Sequence, residues 1–147
     1  MAKPKAFRKK GSIRRRAIRI HALDDALHAA SVANELGVPV LLISAAGAAA
    51  TIGPAWFQGI VGHIERKYPK LHLQAVLDCG DAAGYALAAL RSGVKFIRFS
   101  GNRAVAGKIA DIARQQGAQL VVDPLDILDL RGKSDADTAI GGWLADK

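Results

Sequence analysis

Only one cysteine, Cys79, stands among the 147 residues, so no internal disulfide can form. That usage fits a reducing compartment, and a cytoplasmic location is expected. Aromatic residues make up 5% of the chain, and only Phe7 lies among the basic residues near the start. This is too few to build the stacked platform of a single-stranded nucleic-acid binder. No apolar run approaches the roughly 20 residues that a membrane span needs. No apolar signal core follows the basic start. Acidic residues are also missing from residues 1–19, which carry nine basic side chains. The remainder holds twelve basic and thirteen acidic residues, so the net charge of +8 belongs to one end. The expectation is a basic arm over residues 1–16, open to an anionic partner by electrostatics, on a near-neutral body.

What is present is a repeating pattern. Ala17-Ile18-Arg19-Ile20 reads as a strand, and Asp24 stands where it would cap a following helix. Ala26, Ala29, Ala30, Ala33 and Leu36 recur at helical spacing, and Gly37 supplies a stop. Residues 38–43 are a continuous apolar run with β-branched residues, as in a strand buried on both faces. Residues 44–50 read as a loop of small side chains. Gly53-Pro54 opens a second helix and Tyr68-Pro69 closes it. Residues 71–77, 94–99 and 118–122 read as further strands, each followed by loop and helix signals except the last. After Asp123-Pro124, residues 125–130 read as a short helix or irregular apolar segment.

Strands alternating with helices imply parallel pairing through right-handed crossovers. The expected fold is α/β: a five-stranded, mainly parallel sheet with helices on both faces. It is either an open doubly wound sheet or part of a (βα)8 barrel. Residues 17–124 form the domain, and residues 125–147 pack on it. Open sheet edges make a homo-oligomer the expected state. Ligands bind such folds at the C-terminal ends of the strands. That edge gathers His21, Ser44, Asp78, Cys79, Ser100 and Asp123.

Asp78 ends an apolar run just before a helix, where a carboxylate can transfer protons or bind a hydroxyl. The plainer reading is an acid that caps its own loop. Cys79 reads as a metal ligand or nucleophile, or more simply as a small buried side chain. Zinc would need about three more ligands, and His21 is the histidine expected at that edge. Ser44 with Gly47, and Ser100-Gly101-Asn102 with Arg103, form two loops entering helices, where N–H groups favour an anion such as phosphate. Lys108 adds charge. The stretch Gly101–Lys108 resembles a P-loop, but five residues separate its glycines and Ile109 stands where Ser or Thr is needed. A nucleoside triphosphate is therefore not expected.

Several of these stretches together resemble the N-terminal part of class II, zinc-dependent fructose- and tagatose-bisphosphate aldolases. They are residues 38–48, Lys67-Tyr68-Pro69, Leu77-Asp78-Cys79-Gly80-Asp81, residues 88–93 and Phe96–Gly101. In that family the third strand ends in Asp-His. The resemblance implies Asp78 as the acid or base, and Cys79 replaces the zinc-binding histidine. Two further zinc histidines and the phosphate-binding glycines of the family have no counterpart here. The expected function is binding of a small anionic metabolite such as a sugar phosphate, without a cofactor and without the zinc-dependent reaction. The alternatives are an aldolase-like lyase using Asp78 with an intersubunit metal at Cys79 and His21, and an oligomeric scaffold whose arm binds nucleic acid.

Overall fold

The computed structural model describes residues 15–145. Six strands and six helices follow one another. They are β1 (Arg15–Arg19), α1 (Leu23–Leu36), β2 (Val40–Ile43), α2 (Ala48–Thr51), α3 (Pro54–Lys67) and β3 (Leu73–Asp78). The second half comprises α4 (Ala83–Arg91), β4 (Phe96–Arg98), α5 (Arg103–Gln115), β5 (Gln119–Leu120), β6 (Leu125–Asp129) and α6 (Ala136–Ala145). The strands form one sheet in the order β5-β4-β3-β2-β1-β6, all parallel and flanked by helices. The α/β class and the parallel pairing expected from the sequence are thus present.

The sixth strand is a correction. Residues 125–130 are not helical; β6 pairs with β1 in parallel, with Arg15 opposite Leu125 and Arg19 opposite Asp129. A short apolar run looks alike in a helix and a strand, and its partner lies 110 residues away in sequence. Only residues 121–124 separate β5 from β6, so the strand–helix alternation stops there. A second correction concerns the arm. Residues 1–14 lie outside the described residues, whereas Arg15 and Arg16 open β1. Arg15 pairs with Asp123 at 3.3 Å, and Arg16 stacks 4.6 Å over the Trp143 ring. These two cations therefore serve the fold.

Contacts divide the described chain into two compact units. Unit one comprises residues 15–42, 64–74 and 123–145. Its core includes Ala17, Ile18, Ile20, Ile64, Leu130 and Ile140, together with the alanine stripe of α1. Ala26, Ala29, Ala30 and Ala33 have no exposed surface. Their small side chains let backbones approach closely, and α6 packs on α1 and β1. The α1 N-terminus differs from expectation: Ala22 is the capping position, and Asp25 rather than Asp24 reaches back to accept the His21 N–H at 2.7 Å. At the other end Gly37, at φ 68°, donates to the Ala33 and Asn34 carbonyls. Only a residue without Cβ takes that conformation cheaply.

Unit two comprises residues 43–63 and 75–122. Ile43, Phe57, Val76, Leu77, Ile97 and Ile109 are its largest fully buried side chains. Each such side chain stabilises the fold by about 1.5–3 kcal/mol relative to exposure. β3 and β4 pair in register, with Leu77 opposite Ile97 and Asp78 opposite Arg98. That register brings the loops leaving both strands to one edge.

Candidate ligand-binding site

In unit two the loops at the C-terminal strand ends are laced together by Asp78. Its Oδ1 accepts the Gly47 N–H from the loop after β2, at 2.9 Å. The same oxygen accepts the Gly80 N–H from its own loop, also at 2.9 Å. The Asp78 N–H donates to Ser44 Oγ at 2.9 Å, and that hydroxyl donates to the Ala45 carbonyl at 3.0 Å. Two residues beyond Asp78, the Gly80 carbonyl accepts the Ser100 N–H at 2.8 Å, which ties in the loop after β4. Three loops from three strands are therefore held by one carboxylate and its neighbours.

The lacing needs small residues. Gly47 and Gly80 have φ values of 68° and 63°, and a Cβ at Gly80 would stand 3.7 Å from the Gly47 Cα. Gly101 is tighter: a Cβ there would enter the Phe99 ring and lie 2.9 Å from the Asp81 carbonyl. The small-residue composition of these loops thus reflects close backbone approach.

The geometry assigns the expected site residues different parts. Ser44 is fully buried and acts as a strut. The Gly47 N–H, expected to meet an external anion, is occupied by the Asp78 carboxylate. Asn102 caps α5, with its Oδ1 accepting from the Ala104 N–H at 2.7 Å and the Val105 N–H at 3.2 Å. Two donors of that helix end are therefore taken by its own cap. Arg103 and Lys108 are exposed on α5, and Ser100 and Asn102 are exposed beside them. Asp78 Oδ2 takes no part in the brace.

Cys79 is 2% exposed. Its N–H donates to the Arg98 carbonyl at 2.8 Å, and its Sγ lies 3.6 Å from the Leu77 carbonyl. Burial, with the neighbouring Asp78 charge, pushes its thiol up to about 12. A free thiolate, which a nucleophilic reaction requires, is strongly disfavoured there. His21 belongs to unit one and pairs with Asp129 at 2.7 Å. Asp123 also belongs to unit one and pairs with Arg15. Among the described residues no group of three His, Cys, Asp or Glu side chains is placed to hold a metal ion. Cys79 and His21 belong to no such group among the described residues. A cleft of about 310 Å³ in unit one, lined by residues including Asn34, Pro39, Lys70 and His72, opens at the N-terminal ends of β2 and β3. None of the expected site residues lines it.

Sequence reasoning missed Gly80 as a donor to Asp78, and Asp129 and Arg131 as partners of His21. The first was legible as a glycine beside the acid. The other two lie 108 and 110 residues from His21 and leave no local signal. No protein-family model matches this chain, and a search of curated proteins finds no match. No helix among the described residues is long and apolar enough to cross a membrane.

Proposed function

We propose that this protein binds a small hydroxylated anion, of the sugar-phosphate class, at the strand-end loops of unit two. The observation that carries the reading is the asymmetric use of the Asp78 carboxylate. One oxygen is fixed by two backbone N–H groups. Its orientation is therefore set before any ligand arrives, which removes an ordering cost from binding. The second oxygen is an acceptor for a ligand hydroxyl. Arg103 and Lys108, exposed on α5, supply the charge for an anionic group. The resemblance of residues 38–48 and 77–81 to class II aldolases supports the choice of substrate class. Descent from such an enzyme, without its zinc reaction, belongs to the same proposal.

The experiment is a thermal-shift series with fructose 1,6-bisphosphate, fructose and inorganic phosphate on the full chain. Binding to the folded state raises the midpoint in proportion to affinity and concentration. The bisphosphate should raise it most, and Arg103→Ala should reduce that rise. Equal responses to all three compounds, or none, would count against the reading. Self-association is part of the proposal too, supported by the half-exposed Ile52 and Tyr85 side chains of unit two. Light scattering after size exclusion tests it, a monomeric mass being the contrary result.

A further inference from the structure

Unit one holds a second cluster of chemistry-bearing side chains that this reading does not use. It stands at the C-terminal ends of β1 and β6, whose last register pair is Arg19 with Asp129. His21 follows β1 by two residues, and Arg131 follows β6 by two. His21 Nε2 lies 2.7 Å from Asp129 Oδ1. On the other side of the ring, Nδ1 lies 3.3 Å from Arg131 Nη2. The Arg131 N–H also donates to Asp129 Oδ1, at 2.9 Å. The His21 N–H donates to Asp25 Oδ2.

A guanidinium only donates. Nδ1 is therefore the acceptor of the ring, and Nε2–H donates its hydrogen bond to Asp129 Oδ1. Burial raises the Asp129 carboxyl, but the Arg131 N–H, the His21 ring and the Arg19 charge together hold it below its usual range. The carboxylate thus fixes the tautomer, as in other histidine–carboxylate pairs. Asp25 Oδ2 is engaged by the His21 backbone N–H, and Asp129 Oδ1 by the ring and the Arg131 N–H. The Arg131 contact is the weak member: 3.3 Å is at the long end for a hydrogen bond. Arg131 is exposed, whereas the His21 side chain is only 19% exposed. A solute can displace that guanidinium from Nδ1 without breaking the pair beneath.

We propose that His21, Arg131 and Arg19 form a second site, for an oxyanion that also carries a hydroxyl, with monohydrogen phosphate as the simplest example. Arg131 turns from Nδ1 to an anionic oxygen, Arg19 adds positive charge beside Asp129, and the P–OH donates to Nδ1. Sulfate offers the same shape and charge but no proton, and meets the Nδ1 lone pair instead. The site therefore discriminates by proton, not by charge.

The test follows the His21 ring by imidazole-selective nitrogen–proton NMR at about pH 8, where an ordinary histidine is neutral. The full chain is titrated with inorganic phosphate and, separately, with sulfate at matched ionic strength. The expected results are an Nε2–H tautomer, a saturable shift with phosphate, and a sulfate response weaker on the order of tenfold, as befits a lost charge-assisted hydrogen bond. Arg131→Gln keeps the backbone bond to Asp129 and should weaken the phosphate response by a similar factor with little change in thermal midpoint. An Nδ1–H tautomer, equal responses to the two anions, no saturable response, or an unaffected Arg131→Gln protein would each overturn the proposal. None of these results depends on ligand binding in unit two.

Discussion

Asp78→Ala removes the acceptor of the Gly47 and Gly80 N–H groups and should loosen three loops together. Each bond is 2.9 Å long and ends on a carboxylate. A hydrogen bond to a charged group contributes about 1.5–3 kcal/mol net. Both bonds here share one oxygen of a half-buried side chain, so the lower end applies to each. The expected loss is about 3 kcal/mol, from those two bonds at the lower end of their range. Asp78→Asn keeps a carbonyl oxygen in the Oδ1 position and loses only the charge, so it should cost about 1 kcal/mol, the difference between two charge-assisted and two neutral bonds. Urea unfolding at an unchanged slope reads both values. Should Asp78→Ala fall within about 0.5 kcal/mol of wild type, as an ordinary surface change would, the brace would contribute nothing. Equal costs for the two variants would show that charge, not the geometry of Oδ1, holds the loops.

Other expectations follow from single residues. Cys79 should resist thiol reagents in the native protein and react only on unfolding, and rapid native labelling would contradict its burial. Because burial and the Asp78 charge push its folded thiol up to about 12, against 9.0 for an unperturbed thiol, the unfolded chain loses that proton first as pH rises. Stability should then fall between those pH values by up to about 1.4 kcal/mol per unit from this group, and Cys79→Ala should flatten the slope. Gly101→Ala forces a methyl against Phe99 and the Asp81 carbonyl; a loss of about 1–3 kcal/mol in urea unfolding is expected, as for other overpacked sites. Gln74 is 4% exposed and its amide has no hydrogen-bond partner among the described residues. Gln74→Met should therefore stabilise the fold by about 1–2 kcal/mol by removing an unsatisfied buried amide, and a destabilised variant would reveal a partner.

The sequence exposed the parts of this fold that depend on local pattern. Residues 38–43 could hardly be anything but a buried strand, and Gly53-Pro54 and Tyr68-Pro69 bracket α3 to within a residue. The strands came out shorter than their apolar runs: residues 94–99 contain β4 at Phe96–Arg98, and residues 118–122 contain β5 at Gln119–Leu120. Ladder pairing ends before hydrophobicity does. The single-turn α2 was hidden because Ala48, Ala49 and Ala50 suit a small-residue loop equally well. β6 was hidden because its identity is conferred by β1, not by its own residues. The same divide separates legible from illegible at the sites. The position of Asp78 at a strand end follows from the run that precedes it. That its carboxylate is spent on Gly47, 31 residues earlier, follows only from the register of β2 and β3. Histidine pairing was equally silent: His28 meets Asp137 at 2.7 Å across 109 residues.

In the proposed site one Asp78 oxygen holds the loops and the other accepts a ligand hydroxyl. Calorimetric titration of fructose 1,6-bisphosphate into wild type and Asp78→Asn tests this most directly, because the variant retains the bracing oxygen and replaces Oδ2 with an amide nitrogen. The prediction is measurable binding to wild type, and binding weakened on the order of tenfold in a variant that remains folded, the cost of one charge-assisted hydrogen bond. Equal affinity in the two proteins, or no heat of binding to wild type, would contradict it.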